Sequence, residues 1–251
     1  MENLPIRITD SWESLKEFTA ARIALGRAGD SIPMRQSLEF KLAHAHARDA
    51  VYSTLDGDKL TEELRLLDIP VLKLHSQATT RQIYLQRPDL GRLPDDVSYK
   101  IVTAHLFPAD ISIILADGLS ANAINNNAAQ LLAELFPLLK AVNYTLSPLC
   151  LVEQARVAIA DPIAHGLQSK LSIILIGERP GLSSADSIGA YLTYNPQPGL
   201  TDESRNCVSN IRQGGLPFKL AAEKIFYLVQ EAFKRQLSGV ELKDNAGLLE
   251  E

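Results

Sequence analysis

Several features that mark large protein classes are scarce or missing in this sequence. Its 251 residues include only two cysteines, Cys150 and Cys207, and its first residues show no basic segment followed by an apolar one. Without a secretion signal, we expect two reduced thiols rather than a disulfide, and no structural zinc. No run of 18 or more apolar residues occurs, so no membrane-spanning helix is expected. These absences predict a soluble, cytoplasmic protein.

An excess of positive charge is also missing. The chain has 25 Lys and Arg residues against 30 Asp and Glu residues, a net charge of −5, with no long run of either sign. A nucleic-acid-binding protein normally carries a basic patch or stripe, so we expect no nucleic-acid partner. With 46% hydrophobic residues, the chain is long enough and apolar enough to build a large core.

The motifs of common enzyme classes are absent as well. The sequence has no G-x-x-x-x-G-K-[ST], no G-x-G-x-x-G after a strand and no G-x-S-x-G, which argues against the usual nucleotide sites and the hydrolase nucleophile. His44 and His46 are two residues apart, and on a helix they point to different sides. No H-E-x-x-H or C-x-x-C accompanies the five histidines. We therefore expect no metal ligands and no catalytic residues of these classes.

The first 95 residues have a helical character. The segments "SWESLKEFTAARIAL" and "RQSLEFKLAHAHARDAVYSTL" contain no proline and are separated by a turn, "GRAGDSIP", which predicts two helices. A short β-like piece, "IPVLKLHSQ", precedes "TTRQIYLQRPDLGRLPDD", whose two prolines and glycine favour a surface loop or a domain boundary. We expect residues 1–95 to form a helical N-terminal region and residues 96–251 to form an α/β domain.

From residue 96 onward, strands and helices alternate. The runs "DISIILADG", "LSPLCLVEQ" and "LSIILIG" predict buried strands, and "ADPIAHGLQS" between the last two predicts a short helix. Leu131 and Leu135 lie on one stripe of a predicted helix after the first strand, and an apolar stripe from Phe218 to Ala232 predicts a final helix with Gly239 as its stop. This order predicts a Rossmann-like, doubly wound fold with a mainly parallel sheet.

The stretch "GERPGLSSADSIGAYLTYNPQPGLTDESRNCVSNIRQGG" follows the third of these strands and is rich in turn residues. In open α/β sheets, ligands usually bind beyond the carboxyl ends of the strands. Glu178 is either half of a solvated Glu–Arg pair or a carboxylate that accepts hydrogen bonds from a ligand. Cys207 is either a small buried apolar group or a reactive thiol, but no basic neighbour would lower its pKa. We expect neither residue to be a nucleophile.

Five segments, in their order along the chain, make the sequence resemble the small (light) subunit of ethanolamine ammonia-lyase, and the resemblance spans about residues 20 to 238. The last three are highly specific. They are "GRAGDSIPMRQSLEFKLAHAHARDAV", "LQRPDLGRLPDD", "LADGLSANAI", "IGERPGLSSADSIGAYLTYNP" and "RNCVSNIRQGGLPFKLAA".

The resemblance implies a subunit of an adenosylcobalamin-dependent enzyme that converts ethanolamine to acetaldehyde and ammonia. It implies that a large subunit is the partner, that the large subunit carries the catalytic residues, and that the cofactor lies between the two chains. The family's small-subunit cofactor contacts correspond to Val157 in "QARVAIAD", Glu178 in "GERPG" and Cys207 in "RNCVSNI". A D-x-H-x-x-G signature is absent, because "DPIAHG" has its histidine in another place. This implies base-on binding with no histidine on the cobalt.

Two alternatives stay open at this point. The absence of catalytic motifs is also compatible with a stand-alone α/β ligand-binding module without catalysis. Some members of the family carry a longer N-terminal extension that directs them to a bacterial microcompartment. This chain starts only about 20 residues before the shared region, so we expect cytoplasmic residence. We also expect "SWESLKEFTAAR" to form an amphipathic helix that docks on the large subunit.

Overall fold

A computed structural model describes residues 10–19, 21–106 and 108–243. The strands in this part of the chain are β1 (Val71–His75), β2 (Ala109–Ala116), β3 (Leu149–Glu153), β4 (Ser169–Gly177), β5 (Ile188–Tyr194) and β6 (Asn206–Ile211). The helices are α1 (Met34–Val51), α2 (Gly57–Glu63), α3 (Arg81–Gln86), α4 (Asp96–Ala104), α5 (Ala121–Ala141), α6 (Ala160–Gly166) and α7 (Phe218–Arg235). Within these residues, no helix has both the length and the apolar character needed to cross a membrane.

The six strands form one sheet in the order β1-β3-β2-β4-β5-β6. The pairs among β1, β3, β2 and β4 are parallel, whereas β5 pairs with β4, and β6 with β5, in antiparallel fashion. The predicted α/β class is confirmed, but the sheet is mixed, so the predicted mainly parallel, doubly wound Rossmann-like sheet is not confirmed. The reason lies in residues 178–187, which join β4 to β5 without a helix. A short connection returns the chain antiparallel, because a parallel return needs a crossover.

Helices cover both faces of the sheet. Strand β2 shows why: Ile111, Ile113 and Leu115 belong to a buried cluster with residues of α5 and α7, whereas Ile114 and Ala116 belong to a second cluster with residues of α4 and α6. Successive side chains of a strand point to opposite faces, so a continuous apolar run serves both clusters at once. The three strands predicted from such runs are confirmed as β2, β3 and β4.

The N-terminal region differs from the prediction in two segments. Of the helix expected over residues 11–25, the described residues show only a 3-10 turn, Glu13–Glu17, while Ala24 and Gly26 have left-handed φ angles of 49° and 71° that stop any helix. The prediction for the second helix is confirmed as α1. Residues 79–96 are not a plain surface loop, because they contain α3, whose Tyr84 is buried.

Strand β1 comes from the first 95 residues, and it forms the edge of the sheet beside β3. The sheet thus draws on both sides of the expected boundary at residues 95 and 96. The separate roles expected for the two parts stay a prediction.

The turn-rich stretch from residue 177 to residue 215 contains two strands that the sequence did not reveal. Ile188, Ala190 and Leu192 of β5 are buried in the same cluster as α5 and α7, whereas Tyr191 packs on the other face. Side chains of β5 do alternate between the two faces of the sheet, but only over a few residues. Gly189 and a register irregularity between residues 188 and 190 make this alternation hard to recognise in the sequence. This stretch is therefore the antiparallel half of the sheet rather than a long loop.

The final helix begins as predicted, directly after Pro217, and its apolar stripe packs into the core. It ends at Arg235, and Gln236 takes the left-handed conformation, with φ 57°. The predicted stop at Gly239 is thus three residues late, because Gln236 takes the left-handed position that the prediction gave to glycine.

The turns after β2 and β4 lie side by side, as expected for neighbouring parallel strands. Leu119 donates its backbone N–H to the Gly177 carbonyl at 2.9 Å. A Cβ atom on Gly177 would overlap the carbonyl oxygen of Ser120 and would lie 2.6 Å from that of Asp117. The turns that follow β2 and β4 can pack this closely only because position 177 has no side chain.

Gly177→Ala is expected to lower the free energy of unfolding by about 1–3 kcal/mol, because backbone atoms rather than flexible side chains must move to admit the methyl group. Urea denaturation measures the loss. Gly181→Ala is the matched control, since its Cβ would meet nothing closer than the Ser184 carbonyl oxygen at 3.5 Å. Equal effects of the two substitutions would contradict this account.

Candidate functional site

Two of the three predicted site residues line one cleft. Val157 opens a 3-10 turn, Val157–Ile159, that follows β3, and Cys207 lies on β6 directly opposite Tyr191 of β5. Both line a cleft of ≈ 350 Å³. The other residues that line this cleft are Pro88, Arg92, Arg156, Ala158, Tyr191, Asp202 and Arg205. A turn at the end of a parallel strand and an antiparallel edge strand thus form the two sides of the cleft.

Glu178 lies beside this cleft and is not among the residues that line it. Its half-buried side chain follows β4 and extends across β5, where a Cβ on Gly189 would lie 3.2 Å from Oε1 and 3.3 Å from Cγ. Its Oε2 accepts the backbone N–H of Asn210, on β6, at 3.2 Å. Gly189 therefore leaves the space through which the Glu178 carboxylate reaches the strand that carries Cys207.

The electrostatics around Cys207 keep its thiol protonated. Cys207 is exposed, so the buried apolar role considered for it from the sequence is wrong. Partial burial nevertheless raises the pKa of its thiol, the hydrogen bond from Tyr191 opposes this shift, and the negative charge of Glu178 adds to it. The pKa of Tyr191 is raised as well, first by burial and then by Cys207. A thiol with a raised pKa is a poor nucleophile at neutral pH. The raised pKa therefore gives no support to a nucleophilic role for Cys207.

A buried carboxylate fixes the backbone conformation of the turn that leads into this cleft. Asp117 follows β2 and accepts the backbone N–H groups of Gln154 and Ala155 at 2.8 and 3.0 Å. Burial raises its pKa to about 6, although those two donors and Arg81, 3.5 Å away, favour the ionised form. Gln154 has a left-handed φ of 54°, a strained conformation that these hydrogen bonds hold. Asp117 thereby fixes the turn that leads to Val157.

Tyr84 supports the same turn from the other side. The guanidinium groups of Arg81 and Arg156 lie 4.5 and 4.0 Å from the centre of its ring, which is the geometry of cation–π contacts. Arg156 also donates to the Tyr84 carbonyl at 2.9 Å. Gly91 packs against this group, because a Cβ there would lie 2.8 Å from Cγ of Arg156. The segment around Gly91 is thus held firmly against the turn that carries Val157.

A buried ion pair closes the floor of the cleft. Arg205 and Asp161 pair directly, and each side chain is only 2% exposed. Arg205 also donates to the carbonyl groups of Thr201 and Leu200. Burial raises the pKa of Asp161 to about 6 despite the attraction of Arg205. Each of the two charges therefore depends on the other to be tolerated inside the protein.

The sequence did not single out Tyr191, Arg156, Arg205 or Asp117. Arg156 directly precedes Val157, and Arg205 lies two residues before Cys207, but neighbours in sequence carry no sign of burial. The opposition of Tyr191 and Cys207 depends on the register of two strands that were not predicted. Within residues 10–19, 21–106 and 108–243, no group of three or more His, Cys, Asp or Glu side chains could hold a metal ion.

Comparisons with known proteins agree with the resemblance noted from the sequence. Residues 9–243 match the family described as ethanolamine ammonia-lyase light chain. A Pseudomonas aeruginosa protein named ethanolamine ammonia-lyase small subunit is 49% identical over 239 residues, which cover 94% of this chain and 88% of the relative. Proteins of the same name from Ralstonia nicotianae and Xanthomonas campestris pv. campestris are each 48% identical, over 98% and 94% of this chain and 93% and 89% of their own lengths.

Arg205→Met is expected to lower the free energy of unfolding by about 3–5 kcal/mol at pH 7.5, because it leaves Asp161 buried and unpaired. The pKa of Asp161 is raised in the folded protein, so the folded state disfavours its ionised form. Lowering the pH through that pKa neutralises the carboxyl group, and the loss is therefore expected to be smaller at pH 5 than at pH 7.5.

Urea denaturation of the Arg205→Met variant at both pH values tests this expectation. Arg65→Met is the matched control, because Arg65 is 72% exposed and pairs with Glu62 at the surface. Its loss should stay below about 1 kcal/mol. A loss for Arg205→Met that is the same at both pH values would show that the charge on Asp161 is not its cause.

Proposed function

Because this chain belongs to the ethanolamine ammonia-lyase light chain family, and is thus a subunit of a lyase, we propose that it forms one wall of an adenosylcobalamin site whose other wall is the large subunit. The complex of the two chains would convert ethanolamine to acetaldehyde and ammonia. The observation that carries the proposal is the meeting of Val157 and Cys207 in one cleft, with Glu178 extended toward the strand of Cys207.

The side chains around the cleft fit the chemistry of a corrin, which has a broad apolar face and a fringe of amide side chains. Val157 and Tyr191 pack against the apolar cluster between the sheet, α4 and α6 and provide apolar surface. Of the two carboxylate oxygens of Glu178, only Oε2 accepts a hydrogen bond from the described residues. Oε1 is therefore available to accept an amide N–H of the cofactor.

The size of the cleft supports a site shared between two chains. Pockets for drug-sized ligands span about 300–1,000 Å³, and this cleft of ≈ 350 Å³ lies at the small end of that range. A corrin ring with its side chains is much larger than a drug-sized ligand, so this chain can cover only part of it. The rest of the cofactor surface would contact the large subunit.

The proposed roles of this chain are to bind, orient and shield. Adenosylcobalamin supplies the radical chemistry through homolysis of its cobalt–carbon bond, as cofactors commonly supply the difficult step. Glu178 would orient the corrin by accepting an amide N–H, and Val157 would exclude water from its face. Cys207 would contribute a neutral, polarisable contact. We propose base-on binding of the cofactor, and we assign no catalytic residue to this chain.

Helix α1 is the proposed docking element of the N-terminal region. Met34, Leu38 and Leu42 follow one another at four-residue spacing, and they are 73%, 56% and 57% exposed. Residues at this spacing lie on one face of a helix, so the three side chains form a continuous apolar stripe. The relatives are named small subunits, and we propose that the stripe contacts the large subunit. Residues 96–251 would contribute the cofactor contacts, and the assembly would reside in the cytoplasm.

Glu178→Gln is expected to raise the dissociation constant of adenosylcobalamin for the two-chain complex about ten- to a hundredfold, because a charge-assisted hydrogen bond contributes about 1.5–3 kcal/mol. Titration followed by the absorption of the corrin measures the constant. Assembly should be unchanged, since the glutamine carbonyl can still accept the N–H of Asn210.

Glu134→Gln is the matched control, because Glu134 is an exposed carboxylate on α5 that does not line the cleft. The proposed role of Glu178 would be wrong if its variant bound the cofactor normally. Tight binding of adenosylcobalamin by the isolated chain would instead favour a stand-alone binding module.

A double variant, Leu38→Asp with Leu42→Asp, is expected to weaken association with the large subunit strongly while the thermal stability of the isolated chain stays unchanged. Two charges would be placed on a surface that the proposed interface removes from water. Copurification of the coexpressed chains measures association. Lys41→Asp with Glu39→Ala alters exposed residues between the two leucines and should have a smaller effect. Undiminished copurification of the leucine variant would contradict the proposed docking face.

A further inference from the structure

A second cleft adjoins the one that contains Val157 and Cys207. It has a volume of ≈ 410 Å³ and lies between the turn at Ala158 to Pro162 and the loop at residues 198–202. The two clefts share Arg92, Ala158 and Asp202. They therefore form one continuous groove, and Arg92 lies at the junction between its two halves.

Most charged groups along this groove already have a partner within the chain, although one guanidinium, that of Arg205, faces two carboxylates. Arg205 is paired with Asp161, and Asp202 lies 3.6 Å from the other end of the same guanidinium. Asp89 accepts two hydrogen bonds from Arg87, at 2.9 and 2.6 Å. None of these groups is free to bind a charged part of a ligand without losing a partner.

Arg92 differs from these residues. In the described ranges, its guanidinium has neither a hydrogen bond nor an ion pair with another side chain, although it lines both clefts. Its backbone is nevertheless held in place, because the carbonyl of the adjacent Gly91 accepts the N–H of Arg156 at 2.7 Å. The structure thus fixes the base of the Arg92 side chain and leaves its positive charge available inside the groove.

We infer that Arg92 binds the phosphodiester of the nucleotide loop of adenosylcobalamin, and that the second cleft receives this arm of the cofactor. The inference rests on the proposed function of the first cleft. The corrin fringe carries neutral amides, whereas the arm that links the corrin to its base contains a phosphodiester with one negative charge. An arm that leaves the first cleft along the groove passes the junction at Arg92. The planar fork of an arginine matches two phosphate oxygens.

The test compares two ligands on the complex of this chain with the large subunit. Adenosylcobinamide lacks the phosphodiester and the base but keeps the corrin. For Arg92→Gln, we expect the dissociation constant of adenosylcobalamin to rise about ten- to a hundredfold, the range for the loss of a hydrogen bond to a charged group. We expect the constant for adenosylcobinamide to stay unchanged. Corrin absorption after equilibrium dialysis measures both constants without reference to turnover.

A second measurement covers the case in which adenosylcobinamide binds too weakly to be titrated. The affinity of the original complex for adenosylcobalamin should fall as salt is added, because ions screen an exposed charge pair, and Arg92→Gln should flatten this dependence. Arg65→Gln is the matched control, since it removes the same charge from a residue that lines neither cleft. It should reproduce the salt dependence of the original chain.

The results separate this inference from the proposed function. If the original complex binds adenosylcobalamin and Glu178→Gln weakens binding, but Arg92→Gln leaves the affinity and its salt dependence unchanged, the inference about Arg92 is wrong and the proposed function stands. Equal weakening of both ligands by Arg92→Gln would also overturn it, because the phosphodiester would not be the group recognised. If the original complex binds neither ligand, both the proposed function and this inference fail.

Discussion

The carboxylate of Asp117 is the point on which the candidate site depends. It accepts two backbone N–H groups from Gln154 and Ala155, and in this way it joins the end of β2 to the end of the adjacent β3. The strained turn that it holds carries Val157 into the cleft, and Arg156 of the same turn fixes Gly91 and so the start of the Arg92 side chain. The position of the residues in both halves of the groove therefore depends on the buried carboxylate of Asp117. The protein interior tolerates this charge only because hydrogen bonds compensate for the loss of water.

The parallel half of the fold could be read from the sequence because its strands are buried on both faces. The run from residue 111 to residue 116 is apolar except for the buried Ser112, because its side chains contact helices on both faces of the sheet. This signal can be read without knowledge of the neighbouring strands. The antiparallel half has no such signal. Strand β5 alternates between buried aliphatic residues and Tyr191, but glycines and turn residues around it dominate the local pattern. For residues 11–25 the prediction failed in the opposite direction. None of the described residues of this segment is buried, so its helical propensity is not supported by packing in the core.

For the candidate site, sequence-based prediction fails for a different reason. The family resemblance supplied Val157, Glu178 and Cys207, but only the fold shows that Val157 and Cys207 share a cleft while Glu178 approaches it across Gly189. Arg205 could not have been recognised, because arginine is ordinarily exposed and its burial depends on Asp161, 44 residues away along the chain. Ion pairs between residues far apart in the sequence depend on strand register and loop packing. The propensities of single residues give no information about either.

The exposed stripe on α1 has a consequence for the chain on its own. Met34, Leu38 and Leu42 contribute little to the core that holds this chain together, yet they present contiguous apolar surface to water. Such surfaces favour self-association. Copies produced in excess of the proposed large subunit would therefore tend to aggregate as concentration rises, even though each copy is correctly folded. The yield of this protein in solution would then be governed less by its stability than by the ratio in which the two chains are synthesised.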